Sequence, residues 1–464
     1  MKRKSLIIIL LLLVGSFAFA QNVTVVTADV SSILSPTYPM VGSVRNWTGT
    51  KYTLSMAGGG GELAFVAIDH SDFVNGVAYP GFPMYKVDVH SFLSGVNDFC
   101  VISDYAFFCG YKKDIDPITF EVTYINYIGY FDMNELITGP TVHFSLMEIP
   151  MADILYRIEG FKDASGFKVY ALGIMWDDIG GLNKYGIYEI DTPPTATNYS
   201  YTFLDAQLPL YGERMDEIVI LEEEVVFTGR DNFHSGIGSP GAINMRKIDK
   251  TIGLNDIQIN NLYLFQNPNQ FEYNGTIHAT YLGNNEFALS YTYTDVNNGI
   301  SYNRIRVFDN QLNNINSQQY YLDDKLSLYD LVYNRGNETL TISEPWQGTS
   351  RFVFAKPYYT SGYTALFLYD SDMEYGSMDT ISDKQFISSD TKHWLMQHAN
   401  LLSYDPQTTA NTCLPDGNIE VNIIPKILSI VPYHQLNVNN PNSSYNAHQN
   451  STTNYILKYQ CLSK

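Results

Sequence analysis

Two adjacent carboxylates, Asp177 and Asp178, follow Trp176, and His234 lies downstream of them. A carboxylate pair with a histidine could perform acid–base chemistry, one group protonating a leaving oxygen while another activates water. Nothing else in the sequence gathers around these residues, and Asp177-Asp178 also reads simply as the loop that leaves a strand. No G-x-S-x-G elbow marks a serine nucleophile. His393 and His398 are five apart, not the four of H-E-x-x-H, and Trp394 between them suggests packing. Asp295-Val296-Asn297-Asn298-Gly299 has its glycine one residue early for a calcium loop and lacks the distal glutamate. Gly58 to Gly61 precede Glu62-Leu63 where a phosphate loop needs Gly-Lys-Ser/Thr, so they read as a turn. There is no C-x-x-C or Cys/His cluster. Neither a metal nor a cofactor is therefore expected.

A binding surface is the better reading. Trp176, Arg230, His234, Trp346, Arg351, Tyr358 and Tyr359 fall in or beside segments that read as long loops. Exposed aromatics beside a few polar groups suit contacts to sugars or peptides.

Those loops need a scaffold, and the chain supplies one by repetition. From Phe99 to Asp132 two apolar segments flank a tight Ser103-Asp104 turn, and after a polar loop Ile128-Gly129-Tyr130-Phe131-Asp132 closes the unit. The closing element, an apolar strand ending in Asp, recurs at Asp88, Asp132, Asp191, Asp249, Asp309 and Asp370, at spacings of 44, 59, 58, 60 and 61 residues. Near-constant spacing marks a repeat architecture. Each closing strand follows a hairpin, turned at Ser103-Asp104 in the unit from Phe99 to Asp132 and at segments with Gly, Asn or Glu in the others, and a more polar fourth strand comes after it, as at Tyr199 to Phe203. Four antiparallel strands per unit make a β-propeller, with an apolar first strand on the channel wall. The Asp would bond turn N–H groups where the third strand gives way to the fourth.

With 36 Tyr, 25 Phe and 33 Gly, 16% charged residues and no long helical periodicity, the composition agrees with an all-β chain. Seven blades are expected, with six or eight as alternatives. His393 to Met396, Ile419 to Val431 and Tyr455 to Tyr459 would form a last blade, and Val23 to Val26 its missing strand, which removes an open edge. Long loops are expected at Gly110 to Tyr127, Gly229 to Ala242 and Glu344 to Gly362, on one face of the ring.

The apolar–Asp endings, such as Ile190-Asp191 and Ile248-Asp249, resemble those of secreted bacterial β-propeller proteins, over roughly Tyr52 to Asp370. The resemblance implies the fold and is silent on activity. Val, Phe, Ile or Tyr precedes each of the six aspartates, never Trp, which sets the chain apart from WD repeats.

Residues 1–20 read as a signal peptide: Lys2, Arg3 and Lys4, then the apolar run Leu6 to Val14, then Ala18-Phe19-Ala20. Residues 21–464 would be one propeller domain, exported to the periplasm or beyond, with no membrane span. Loss of the three leader bases leaves 25 bases against 48 acids, a net charge near −23. Such a surface disfavours nucleic acid and anionic membranes. Of the four cysteines, Cys100 and Cys109 would stand diagonally across a hairpin, about 7 Å apart, at the limit for a disulfide. Free buried thiols are the alternative for that pair, and a Cys413–Cys461 bridge would staple the C-terminus. The expected function is an exported binding protein for a glycan, peptide or envelope protein. The alternative is a glycoside hydrolase or lyase at the channel mouth. A structural subunit of an envelope assembly is a third reading, and it predicts a contiguous exposed apolar patch.

Overall fold

The computed structural model describes residues 21–29, 40–47, 52–59 and 62–69, most of 81–398, and short pieces between 444 and 463. After β1 (Gln21–Asp29), strands come in consecutive antiparallel groups. The first sheet is β2 (Met40–Asn46), β3 (Tyr52–Gly59), β4 (Glu62–Asp69) and β5 (Gly81–Asp88). The second is β6 (Gly95–Ile102), β7 (Tyr105–Ile115), β8 (Val122–Asp132) and β9 (Phe144–Glu148). The third is β10 (Ile154–Lys162), β11 (Phe167–Asp177), β12 (Leu182–Asp191) and β13 (Tyr199–Phe203). The fourth is β14 (Glu213–Ile220), β15 (Glu224–Asp231), β16 (Ala242–Asp249) and β17 (Gln258–Tyr263). The fifth is β18 (Phe271–Gly283), β19 (Glu286–Asp295), β20 (Ile300–Phe308) and β21 (Asn314–Leu322). The sixth is β22 (Asp330–Asn334), β23 (Thr339–Trp346), β24 (Thr349–Ala355) and β25 (Tyr363–Ser371). The last is β26 (Ser377–Ile381), β27 (Lys384–Ser389) and β28 (Lys392–His398), and β1 pairs with β28 from Val23↔His398 to Asp29↔Lys392.

C-terminal pieces add to this framework. β29 (Ser444–Asn446) lies along β5, while β30 (His448–Gln449) and β31 (Thr453–Tyr455) lie along β1. β32 (Lys458–Ser463) lies along β25. First strands touch in succession, β2 to β6, β10, β14, β18, β22 and β26, and β26 touches β2. This is propeller topology: antiparallel sheets side by side, each contacting the next through its first strand.

Strand alternation explains the packing. In β7, Ala106 and Phe108 enter the core shared with the first sheet, whereas Phe107 and Cys109 enter the core shared with the third. A strand buried on both faces must be apolar at every position, which is why Tyr105 to Cys109 is an unbroken run. Phe65 of the first sheet meets Phe99, Phe108 and Phe131 of the second at centroid distances of 5.6, 5.4 and 5.1 Å. Burial of each such ring contributes about 2–3 kcal/mol. Opposite Phe108 stands Gly129, where a Cβ would lie 2.4 Å from the phenyl ring. The glycine is what lets the ring lie flat across the sheet.

Three of the aspartates do what their position suggests, and two others, at the ends of the series, are out of phase. Asp132 accepts from Asn134 N, Asp249 from Thr251 N, and Asp309 from Gln311 N and Asn313 N, each where a third strand ends. Asp132 thereby caps a six-residue helix, α1 (Met133–Thr138). In the first sheet, however, the residue opposite Tyr52 is Asp69, just as Asp132 is opposite Tyr105. Asp69 is therefore the equivalent, and Asp88 ends a fourth strand, which accounts for the short first spacing. Asp370 likewise lies in the fourth strand of its sheet, opposite Arg351, and Ala355 ends the third.

Three further expectations are corrected. The segment Gly110 to Tyr127 is mostly strand, because β7 and β8 run on to Ile115 and Val122. Glu344 to Gly362 is not one long loop, since Trp346↔Thr349 closes a tight hairpin between β23 and β24. The last sheet takes Ser377–Ile381 and Lys384–Ser389 beside β28, and Lys458–Ser463 pairs in the sixth sheet instead. Ile419 to Val431 lies outside the described residues. Among the described residues no helix is long and apolar enough to cross a membrane.

Candidate functional site

The first strands are not the plain apolar wall expected of them. Besides the Val41/Val44 register irregularity in β2, four carry one at matching places: Val96/Asp98, Leu155/Arg157, Met215/Glu217 and Asn274/His278. A bulge re-aims the side chain that follows it, and here each delivers a charged or titratable group toward the neighbouring first strand. Arg45 of β2 donates to Asp98 of β6 at 3.1 Å. The other oxygen of Asp98 lies 3.7 Å from Arg157 of β10 and accepts the Ile158 N–H at 3.0 Å. Arg157 pairs with Glu217 of β14, and Glu217 meets His278 Nδ1 of β18 at 3.2 Å. Charge thus alternates from sheet to sheet across five first strands.

Burial decides how these groups behave. Asp98 and Glu217 are each only 3% exposed. Desolvation pushes the Glu217 carboxyl up, but Arg157 and His278 outweigh it and hold Glu217 below its ordinary value. Burial opposes the charged form of His278, yet Glu217 prevails and raises the imidazole.

Beside the ion-paired residues lies a cavity of about 260 Å³, bordered by Arg45, Arg157, Glu159, Glu217, Tyr281 and Asp330. Its walls are the later halves of β14 and β18, the halves nearer the turns into β15 and β19. Glu159 differs from the other carboxylates: among the described residues no cation lies within ion-pair distance of it. Desolvation dominates and lifts its carboxyl to about 7, with Arg45 and Arg157 pulling only partly the other way. The cavity therefore combines cations already engaged by carboxylates with one carboxyl that exchanges its proton near neutrality.

The residues proposed from the sequence lie elsewhere. Trp176 and Asp177 end β11, Arg230 lies near the end of β15, and Trp346 and Arg351 flank the β23–β24 hairpin. All five are at the strand ends remote from the turns that border the cavity. Asp178, His234, Tyr358 and Tyr359 lie outside the described residues. Cys100 stands opposite Phe107 and so diagonal to Cys109, as expected, and both are free, fully buried thiols. Cys461 falls in β32, and Cys413 lies outside the described residues. Among the described residues no group of three or more His, Cys, Asp or Glu side chains could hold a metal ion.

The ion-paired residues left a trace that motif reading passed over. Asp98, Arg157, Glu217 and His278 interrupt apolar strands at intervals of 59, 60 and 61 residues, the period of the repeat itself.

No family model matches the chain, and no curated protein matches it. Solved structures with a similar course include the WD40 domain of Toxoplasma gondii coronin, at 9% identity and a TM-score of 0.47, covering 82% of this chain and 88% of that one. The Dos1 propeller matches at 10% identity and a TM-score of 0.42, covering 81% and 94%. A Glu150Asp mutant of Synechocystis apocarotenoid oxygenase matches at 11% identity and a TM-score of 0.40, covering 64% of this chain and 65% of the oxygenase. The fold assignment stands on the strand pairing described above.

Proposed function

We propose that this chain is an exported, seven-bladed β-propeller that works as a binding protein, with β1 completing the seventh blade. The pairing of β1 with β28 and the contact of β26 with β2 support seven blades over six or eight. On this reading a rigid ring presents its strand-end loops to a glycan, peptide or envelope protein, and it needs no cofactor. One observation carries the preference for binding over catalysis. Asp98 and Glu217, the most buried carboxylates at the axis, are each held by cations from adjacent sheets. Carboxylates so engaged bind sheets together and are poorly placed to trade protons with a substrate. Glycan and peptide arrays probed with the mature protein test this. Trp176→Ala, Arg230→Ala and Trp346→Ala should abolish the signals, and unchanged signals would remove that face from consideration.

A second reading rests on Glu159. A carboxyl lifted to about 7 at a cavity wall has the value wanted of a general acid, as in a channel-mouth glycoside hydrolase or lyase. Turnover of chromogenic glycosides that disappears in Glu159→Gln would establish it over the binding reading. Export would be seen as a mature N-terminus at Gln21 in protein recovered outside the inner membrane.

A further inference from the structure

β7 and β8 outrun their neighbours. Pairing with β6 stops at Tyr111, and pairing with β9 stops at Tyr127. Beyond those points Lys112 to Ile115 pair in register only with Val122 to Ile125, and past the Lys113 N–H bond to Ser94 Oγ at 2.9 Å a two-stranded ribbon projects from the sheet. Cross-strand register sorts its side chains. Tyr111, Lys113 and Ile115 share one face with Val122, Tyr124 and Asn126, and the rings of Tyr111 and Tyr124 meet edge-on at 5.6 Å. Lys112, Asp114, Thr123 and the half-buried Ile125 occupy the other face.

Beyond Tyr111 and the buried Asn126 the first face carries one lysine, Lys113, and is otherwise apolar and exposed, as are Ile118 and Phe120 at the tip. Ile118 is 86% and Phe120 76% exposed, with Tyr124, Ile115 and Val122 at 53%, 49% and 42%. Nor is the tip loose. The Asp116 carboxylate accepts from Ile118 N and Thr119 N, and Phe120 N donates to Asp116 O at 2.9 Å. Phe120 is held at φ 56°, a backbone conformation that bulky residues rarely adopt. A rigid turn that forces a phenyl ring into water is hard to explain by folding, and strain of this kind collects at working sites.

We infer that this ribbon is a plug that seats Ile118 and Phe120 in an apolar socket of a partner protein, with basic residues around the socket's rim. Charge gives the rim its sign, because Asp114, Asp116 and Glu121 surround the tip and outnumber Lys112 and Lys113 at its base, and the whole chain carries −20. The same charge disfavours an anionic bilayer. A second copy fits poorly. Two chains of net charge −20 repel, and each would bring the same acidic tip to the other. The ribbon rises at the strand ends assigned above to binding, so the inference rests on that reading and narrows its partner to a protein.

The test keeps the two claims apart by using only the ribbon. A benzophenone amino acid replaces Phe120 in the full-length protein in its native cell, and Thr123 on the opposite face serves as control. One protein should crosslink from position 120 and not from 123. That protein, purified, should bind the mature chain with an affinity that falls as salt rises. An I118S/F120S variant should bind at least tenfold more weakly while keeping the wild-type circular dichroism spectrum and Tm. Asp114→Lys, which leaves the turn intact, should weaken binding severalfold. Adducts to lipid or to a second copy alone, equal adducts from both positions, no adduct, or an unchanged Kd would each overturn the proposal. Array signals lost through Trp176→Ala bear on the wider reading and leave this one standing.

Discussion

The guanidinium of Arg157 in the third sheet grips the carboxylate of Glu217 in the fourth, sixty residues downstream. Neither group can lose the other cheaply. Arg157→Leu leaves Glu217 buried with only His278 for company, and a broken buried pair costs about 3–5 kcal/mol. Urea unfolding should show that loss for Arg157→Leu. An R157L/E217L double variant should recover much of it, since two apolar residues can replace a buried pair nearly neutrally. Simple addition of the two single losses would disprove the coupling.

Glu159 and His278 give the protein a pH dependence of defined sign. A carboxyl lifted to about 7 binds more protons folded than unfolded, so its charging lowers stability as pH rises from the ordinary carboxylate range to about 7. His278, raised by Glu217, contributes stability that is complete below its ordinary value and fades as pH climbs through the folded one. Glu217, held low, contributes above the ordinary carboxylate range and loses that contribution in acid. Tm should therefore fall between pH 5 and pH 8, and Glu159→Gln should flatten much of that slope. A slope unchanged in the variant would assign it to other groups.

At the end of the fifth sheet's third strand, Asp309 accepts backbone N–H groups from Gln311 and Asn313. Asp309→Ala leaves both donors to water, and a loss of about 1–2 kcal/mol is expected in denaturant unfolding. The predicted order is Asp309→Ala below Asp309→Asn, because the amide oxygen can still accept.

Both thiols of the second sheet are sealed in. Burial pushes Cys100 and Cys109 well above the usual thiol value. Neither should react with a disulfide reagent at pH 8 in the folded protein, and both should react in guanidinium. Rapid modification of the native chain would mean that the second and third sheets part readily.

The space above Phe108 admits no extra carbon. Gly129→Ala places a methyl 2.4 Å from the ring and 2.7 Å from Leu146, and should cost about 1–3 kcal/mol in Tm-derived stability.

Much of the fold was legible because strand chemistry is local. Runs such as Tyr105 to Cys109 and turns such as Ser103-Asp104 announce themselves, and the aspartate endings set the period. The ends of the repeat were out of phase for a local reason too. Asp88 and Asp370 follow the same apolar pattern as true third-strand endings, and only pairing with Ala64 and Arg351 tells them apart. The axis was missed because Asp98, Arg157, Glu217 and His278 become neighbours through tertiary contact alone. The ribbon reads as a loop in sequence because Lys112, Asp114 and Thr123 dilute its alternation.

The alternating charges at the axis also say which sheet belongs beside which. Seven apolar wedges of similar shape could be shuffled with little loss of hydrophobic contact. Exchanging the third with the fourth would set Asp98 against Glu217, and Arg157 against His278. Such an arrangement buries like charges face to face, so a chain that folds its units separately still has a means of rejecting the wrong sequence of neighbours.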